Sequence, residues 1–226
     1  MVALFVALMF IGFVLTDLVV HRVRAQRAPV SAPAKLAWDV PKGFYLSEGH
    51  TWSHPESSVG MRVGVDALVA LAVGAAENIR LPKIGELVEA GQPLLGLGRQ
   101  GRELKIPSSI SGHVVALNAS LAKRPELVAQ DPYGSGWICA ITPVQSHGRF
   151  ASVRSGEKAV LWLEQEFDRL REFLSQQVSP DLAVSVTFQD GGLPVAGSLR
   201  ELPLSGWRAF EAEFLVPANK RTGEAG

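Results

Sequence analysis

A mainly β domain is the fold this sequence predicts, preceded by an apolar amino-terminal helix and followed by an α+β extension. Three observations predict it. From about residue 42 to 143, apolar residues come in short runs cut by glycine and proline, the pattern of short strands in a sandwich or barrel. Ahead of them, Val2 to Val20 holds only Thr16 and Asp17 as clearly polar residues. Behind them, Gly156 to Val178 carries apolar residues at helical spacing.

The amino-terminal segment is just long enough to cross a bilayer, which takes about 20 residues. No basic side chain precedes it, and His21-Arg22-Val23-Arg24-Ala25-Gln26-Arg27 follows. A cleaved leader would show the reverse order, basic first and small uncharged residues at its end. The segment is therefore expected as a retained single-pass anchor. Positive charge on the cytoplasmic side then places Arg22, Arg24 and Arg27, and everything after them, at the cytoplasmic face of the inner membrane. Asp17 falls beside those arginines, at the interface. The organisation expected is an anchor over 1–21, a Pro/Ala-rich linker over 22–41 containing Pro29, Pro33 and Pro41, a β domain over 42–145, a helix-plus-hairpin extension over 146–217 and a disordered tail over 218–226.

Within the β domain the expected strands include Met61 to Val65, Glu86 to Val88, Pro93 to Leu97 and Gly112 to Leu117. Ala67 to Ala75 reads as a short helix. Pro125-Glu126-Leu127-Val128 reads as a helical turn with proline in its first position. In the extension, Ala159, Leu163, Phe167, Leu170, Leu174 and Val178 form one helical stripe, which Trp162 and Phe173 widen. Lys158, Glu164, Glu166, Asp168, Arg169, Arg171 and Glu172 fall on the other faces. Ser155 is the expected N-cap and Pro180 the stop. The stripe suits either core packing or docking of a partner. Ala183 to Phe188, the turn Gln189-Asp190-Gly191-Gly192 and Trp207 to Val216 read as a hairpin.

Composition narrows the function. Lys+Arg and Asp+Glu both number 22, so no charge excess favours nucleic acid, and no basic run interleaves with aromatics. The one cysteine, Cys139, sits in an apolar strand-like run and excludes an internal disulfide scaffold. Gly96-Leu97-Gly98-Arg99-Gln100-Gly101 fits the spacing of a dinucleotide fingerprint, but Pro107 and the β-rich surroundings leave no helix for it to open. His50, Trp52 and His54 would share a face of a straight strand. Two imidazoles there lack a third ligand, so no metal is expected. Glu164 and Asp168, one helical turn apart, read as a solvated face. No catalytic constellation is found.

Two stretches carry a resemblance. Gly43-Phe44-Tyr45-Leu46-Ser47-Glu48-Gly49-His50-Thr51-Trp52 and Asn118 to Pro143, closing on Asp131-Pro132-Tyr133-Gly134-Ser135-Gly136-Trp137, resemble the glycine cleavage system H protein. Leu81-Pro82-Lys83-Ile84-Gly85 is similar to the segment before that family's central hairpin. The resemblance covers roughly residues 43–143. It implies a lipoyl-type, hammerhead-like β sandwich whose tight hairpin displays a lysine that carries lipoate.

Counting back from Ser111-Gly112, the family's glutamate falls on Gly98, its carrier lysine on Gly101 and the next alanine on Arg102. Glycine has no amine to acylate, and the Arg102 guanidinium stays protonated. What the resemblance then implies is a carrier fold without its arm: a non-enzymatic binding or scaffold subunit that meets protein partners through a degenerate hairpin, Gly98, Arg99, Gln100, Gly101 and Arg102, with no cofactor. The alternative is a lipoyl or acyl carrier in a one-carbon or redox pathway, modified on Lys105 between the inward-facing Leu104 and Ile106. A ligand sensor using a cleft between the β domain and the extension is a third reading.

Overall fold

Short apolar runs decide the strands, with alternation clear in β7 and β8 among them, and glycines at positive φ mark several of the turns. The computed structural model describes residues 40–56, 60–144, 153–177 and 194–216. Outside the described residues lie the expected anchor, the linker up to Asp39, His147, Val178, Pro180, the run Ala183 to Phe188 with its Asp190-Gly191 turn, and the tail. Among the described residues no helix is long and apolar enough to cross a membrane.

Ten strands and four α-helices appear in chain order among the described residues. The strands are β1 (Tyr45–Ser47), β2 (Thr51–Glu56), β3 (Gly60–Val65), β4 (Asn78–Arg80), β5 (Leu87–Val88), β6 (Pro93–Arg99), β7 (Arg102–Pro107), β8 (Gly112–Leu117), β9 (Cys139–Pro143) and β10 (Val153–Ser155). The helices are α1 (Ala67–Val73), α2 (Leu127–Gln130), α3 (Glu157–Gln177) and α4 (Leu204–Phe210). One antiparallel sheet runs β10-β1-β2-β3-β9-β8-β5 and a second runs β4-β6-β7. Leu97, Leu104 and Ile106 of the small sheet and Val63, Val65, Val114 and Ile141 of the large one are fully buried in the core. The sandwich expected over this region is present.

The two motifs, about eighty residues apart in sequence, form one piece of structure. Phe44 meets Trp52 edge-on at 4.9 Å and Tyr133 at 5.5 Å. Trp52 donates its indole N–H to the Pro132 carbonyl at 3.1 Å. Asn118 caps the following 3₁₀ turn through the Ser120 N–H at 3.1 Å, and its amide donates to the Ser135 and Trp137 carbonyls, both at 2.8 Å. Buried aromatic and amide groups of this kind must find polar partners or lose stability. Cys139 is buried in β9, where burial pushes its thiol up to about 12.

The extension differs from expectation in three ways. First, β10 pairs with β1 and so completes the large sheet. Second, α3 begins at Glu157, and the expected cap Ser155 is in β10. Gly156, at φ 57, supplies the carbonyl that accepts from Ala159 and Val160. Third, Trp207 to Val216 is not a strand. Helix α4 continues into a π-helical turn at Glu211–Leu215. Its aromatics Trp207, Phe210 and Phe214 recur at three and four, the helical period, which overrides the strand preference of aromatic residues. A smaller shift is at α2, which starts at Leu127, so Pro125 precedes it.

The α3 stripe is core. Ala159, Leu163, Phe167, Leu170 and Leu174 have no exposure, and Phe173 packs on Phe210 and Phe214 at 6.1 and 5.6 Å. Glu164 and Asp168 are exposed, as a solvated face requires. Phe167→Ala should destabilise the protein by about 3–5 kcal/mol, as large-to-small changes in a core do. Leu161→Ala, on the exposed face, should change stability by less than about 0.5 kcal/mol. Urea unfolding followed by both circular dichroism and tryptophan fluorescence measures the two.

Candidate functional site

The hairpin between β6 and β7 is a two-residue turn. Arg99 pairs with Arg102, Gly98 with Glu103, Leu97 with Leu104 and Gly96 with Lys105. Gln100 and Gly101 form the tip at φ 51 and φ 71. Positive φ at both central residues is the hallmark of the I′ turn, which matches strand twist and favours glycine second. Gly101 thus sits at the apex, and a Cβ built there meets nothing within 4 Å. At Gly98 an added Cβ would run into the Asn78 side chain on β4. The dinucleotide-like spacing Gly96 to Gly101 falls on strand and turn, with no helix to serve it.

The arginines beside the tip are engaged with backbone carbonyls. Arg99 donates through Nη1 to the Val73 carbonyl at 3.0 Å and the Ala75 carbonyl at 2.8 Å, at the carboxyl end of α1. Arg102 donates through Nη1 to the carbonyls of Leu202 at 2.7 Å and Arg200 at 3.3 Å, and its guanidinium lies 6.0 Å from the Trp207 ring centre. Glu77 accepts the Gln100 N–H at 2.8 Å. Helix and turn ends leave carbonyls without partners, and cationic side chains fill that need. Only Gln100 and Gly101 remain exposed at the tip. Local sequence marks none of these contacts, since Arg102 and Leu202 are 100 residues apart.

Lys105 lies on β7 with its side chain exposed, while Leu104 and Ile106 are fully buried, as the alternation predicts. Its backbone N–H donates to Glu211 Oε2 at 3.4 Å. The edge of β7 is therefore met by the extension. Trp207, Phe210, Phe214 and Leu215 of the extension are buried.

A second cluster surrounds His50. His50 is completely buried, in the turn before β2, at φ 57. That backbone breaks the alternation, so His50 does not share a face with His54. His54 instead stacks on Phe44 at 4.5 Å, with Nδ1 3.0 Å from the Gly43 carbonyl. His50 Nδ1 is 2.8 Å from Asp66 Oδ2, while Asp66 Oδ1 caps α1 by accepting from Leu68 and Val69 at 3.0 and 3.2 Å. His50 Nε2 lies 3.5 Å from Glu166 Oε2, an ion-pair distance. Its ring stacks on Trp162 at 5.0 Å. Arg169 donates to Glu166 Oε1 at 2.7 Å. Glu166, expected on a solvated face, is instead 7% exposed. Its spacing from Leu163 and Leu170 placed it within the stripe, and that was the signal to read. Among the described residues no three His, Cys, Asp or Glu side chains are grouped to hold a metal.

Burial alone would hold the His50 imidazole neutral, but the charge of Asp66, its hydrogen bond and then Glu166 outweigh it and raise the group from 6.5 to about 9. Burial likewise opposes ionisation of Glu166, but the His50 contact and then Arg169 keep its carboxyl below the ordinary range. The stabilisation from His50 is thus fully present below about pH 6.5 and fades as pH rises toward 9. That from Glu166 is present above its ordinary value and is lost in acid. The stability difference between the unaltered protein and His50→Gln should shrink between pH 6.5 and 9. Chemical unfolding at each pH tests this, and a constant difference would show a neutral imidazole.

The family model described as glycine cleavage H-protein matches residues 44–166, more than half of the chain. A glycine cleavage system H protein of Thermus thermophilus is 34% identical over 105 residues, covering 46% of this chain and 81% of the relative. Glycine cleavage system H protein 2 of Aquifex aeolicus is 30% identical over 131 residues, covering 58% and 81%. A crystal structure of an H protein from Mycobacterium marinum aligns with a TM-score of 0.47 at 23% identity, over 54% of this chain and 98% of that one. The family match runs through the opening motif, the hairpin, the closing motif and the first half of α3, so this chain belongs to the glycine cleavage H-protein family.

Proposed function

We propose that this chain is an H-protein fold used for binding rather than for carrying a lipoyl group. The observation that carries this reading is Gly101 at the apex of the β6–β7 turn. Lipoate is held through an amide to a lysine ε-amine, and the apex offers no amine. Lys105 is the nearest lysine, but it stands along a strand edge whose backbone contacts Glu211 rather than at the turn. Recognition then remains as the function of the scaffold, because in a carrier the cofactor supplies the chemistry and the protein supplies position.

The partners of this reading are proteins, and the setting is the cytoplasmic face of the inner membrane, reached through residues 2–20. A tether raises the effective concentration of the β domain toward membrane-bound partners, which makes weak contacts productive. The neutral balance of 22 basic and 22 acidic residues favours neither nucleic acid nor an acidic ligand.

Intact mass of the protein purified from its own host, with peptide mapping across Gly98 to Ser111, tests the binding reading. The expected result is the unmodified mass; a lipoyl-sized increase on Lys105 would return the protein to group transfer. The tether is tested by carbonate extraction of membranes. The protein should stay in the pellet, and the pair Leu8→Arg and Ile11→Arg should release it, since each charge at mid-bilayer costs about 2.5–3.5 kcal/mol.

A further inference from the structure

We propose that residues 194–216 form a strap that closes the β7 flank of the hairpin against enzymes that would grip it to modify a tip lysine. This rests on reading the hairpin as a degenerate acceptor. It goes beyond that reading, because it assigns the loss of carrier function to a second feature of the fold besides Gly101.

The strap is fixed at three points along the hairpin. At its start the Gly197 N–H donates to the Leu71 carbonyl at 2.7 Å. A Cβ added to Gly74 would meet the Gly197 Cα at 2.8 Å, so strap and α1 touch backbone to backbone. Arg99 ends on carbonyls of the same α1 terminus, which joins strap, helix and hairpin in one place. Beside the tip, Arg102 holds the carbonyls of Leu202 and Arg200. Trp207, the ring facing Arg102, is itself held by donating its indole N–H to the Leu199 carbonyl at 2.7 Å. Farther down, Glu211 accepts the outward N–H of Lys105.

The chemistry explains why this flank attracts a cover. In the small sheet β7 is an edge strand. Unpaired edge amides invite another chain, and proteins blunt such edges by laying a helix across them. Here α4 and the π-helical turn take that position, with Trp207, Phe210 and Phe214 turned inward. The apex stays open and the flank does not. An enzyme that reads only the apex is admitted, whereas one that embraces the hairpin must displace the strap.

The test supplies the missing acceptor. Gly101→Lys in the full chain is incubated with a lipoate–protein ligase, lipoate and ATP. The lipoate carboxylate attacks the α-phosphate of ATP to give lipoyl adenylate with release of pyrophosphate; the lysine amine then attacks its carbonyl, an amide forms, and AMP and a proton leave. The same substitution is combined with Trp207→Ala and, separately, with Arg102→Gln, which keeps most of the stem but gives up the clasp of the Leu202 carbonyl. Thermal melts establish which variants are folded. If Trp207→Ala does not fold, Arg102→Gln carries the comparison. The strap predicts lipoylation at least ten-fold faster in the loosened variants than in Gly101→Lys alone. Equal rates, slower rates, or no modification of any folded variant would overturn it. Failure of the binding reading would appear elsewhere, as a lipoyl mass on the unaltered chain.

Discussion

A fully buried histidine set between two carboxylates constrains the rest of this structure. His50 cannot keep its proton in the interior unless carboxylates surround it, and the isolated charge would be too costly to bury. The fold supplies Asp66 from the start of α1 and Glu166 from α3. Asp66 serves the helix with one oxygen and the imidazole with the other. Glu166 is shared with Arg169, whose guanidinium lies 5.0 Å from the Phe214 ring centre and pairs with Glu213 in the strap. One buried proton thus ties the turn before β2 to both helical layers of the extension. The extension is held by charge at its middle and by aromatic packing around it.

The family motifs gain a physical meaning from the same standpoint. Phe44, Trp52 and Tyr133 form a single aromatic cluster. The Tyr133 hydroxyl accepts the N–H of Ala67 at the head of α1. Burial, and then the Asp66 charge, push that hydroxyl far above its ordinary range, so it stays protonated. The aromatic cluster and the charged cluster therefore meet at Asp66 and Ala67. Residues that mark the family in sequence are those that close the sandwich around this point.

The hairpin is tied into the fold on both of its flanks. Its I′ turn and its register are intact. Its flanking side chains Arg99 and Arg102 reach carbonyl groups of two other elements, one on α1 and one on the strap. Arginine suits this work because a single Nη1 carries two N–H donors, which here reach two carbonyls at once. The tip is held in place by contacts that serve α1 and the extension as much as they serve the hairpin.

What the sequence determined by itself were the features set by local spacing. Short apolar runs cut by glycine and proline placed β3, β6 and β8, the spacing of Ala159 to Leu174 placed α3, and the two motifs identified the family. The same spacing held more than was read from it: Glu166 lay within the apolar stripe, and Trp207, Phe210 and Phe214 had a helical period that their strand preference hid. Tertiary structure alone decided what Arg99, Arg102 and His50 do. A guanidinium at a turn looks the same in sequence whether it faces solvent or a carbonyl 100 residues away, and a histidine before a strand carries no sign of the carboxylates that will surround it. Hydrogen bonds and ion pairs are short-ranged and directional, so their partners exist only once the chain has brought distant elements within about 3 Å of one another.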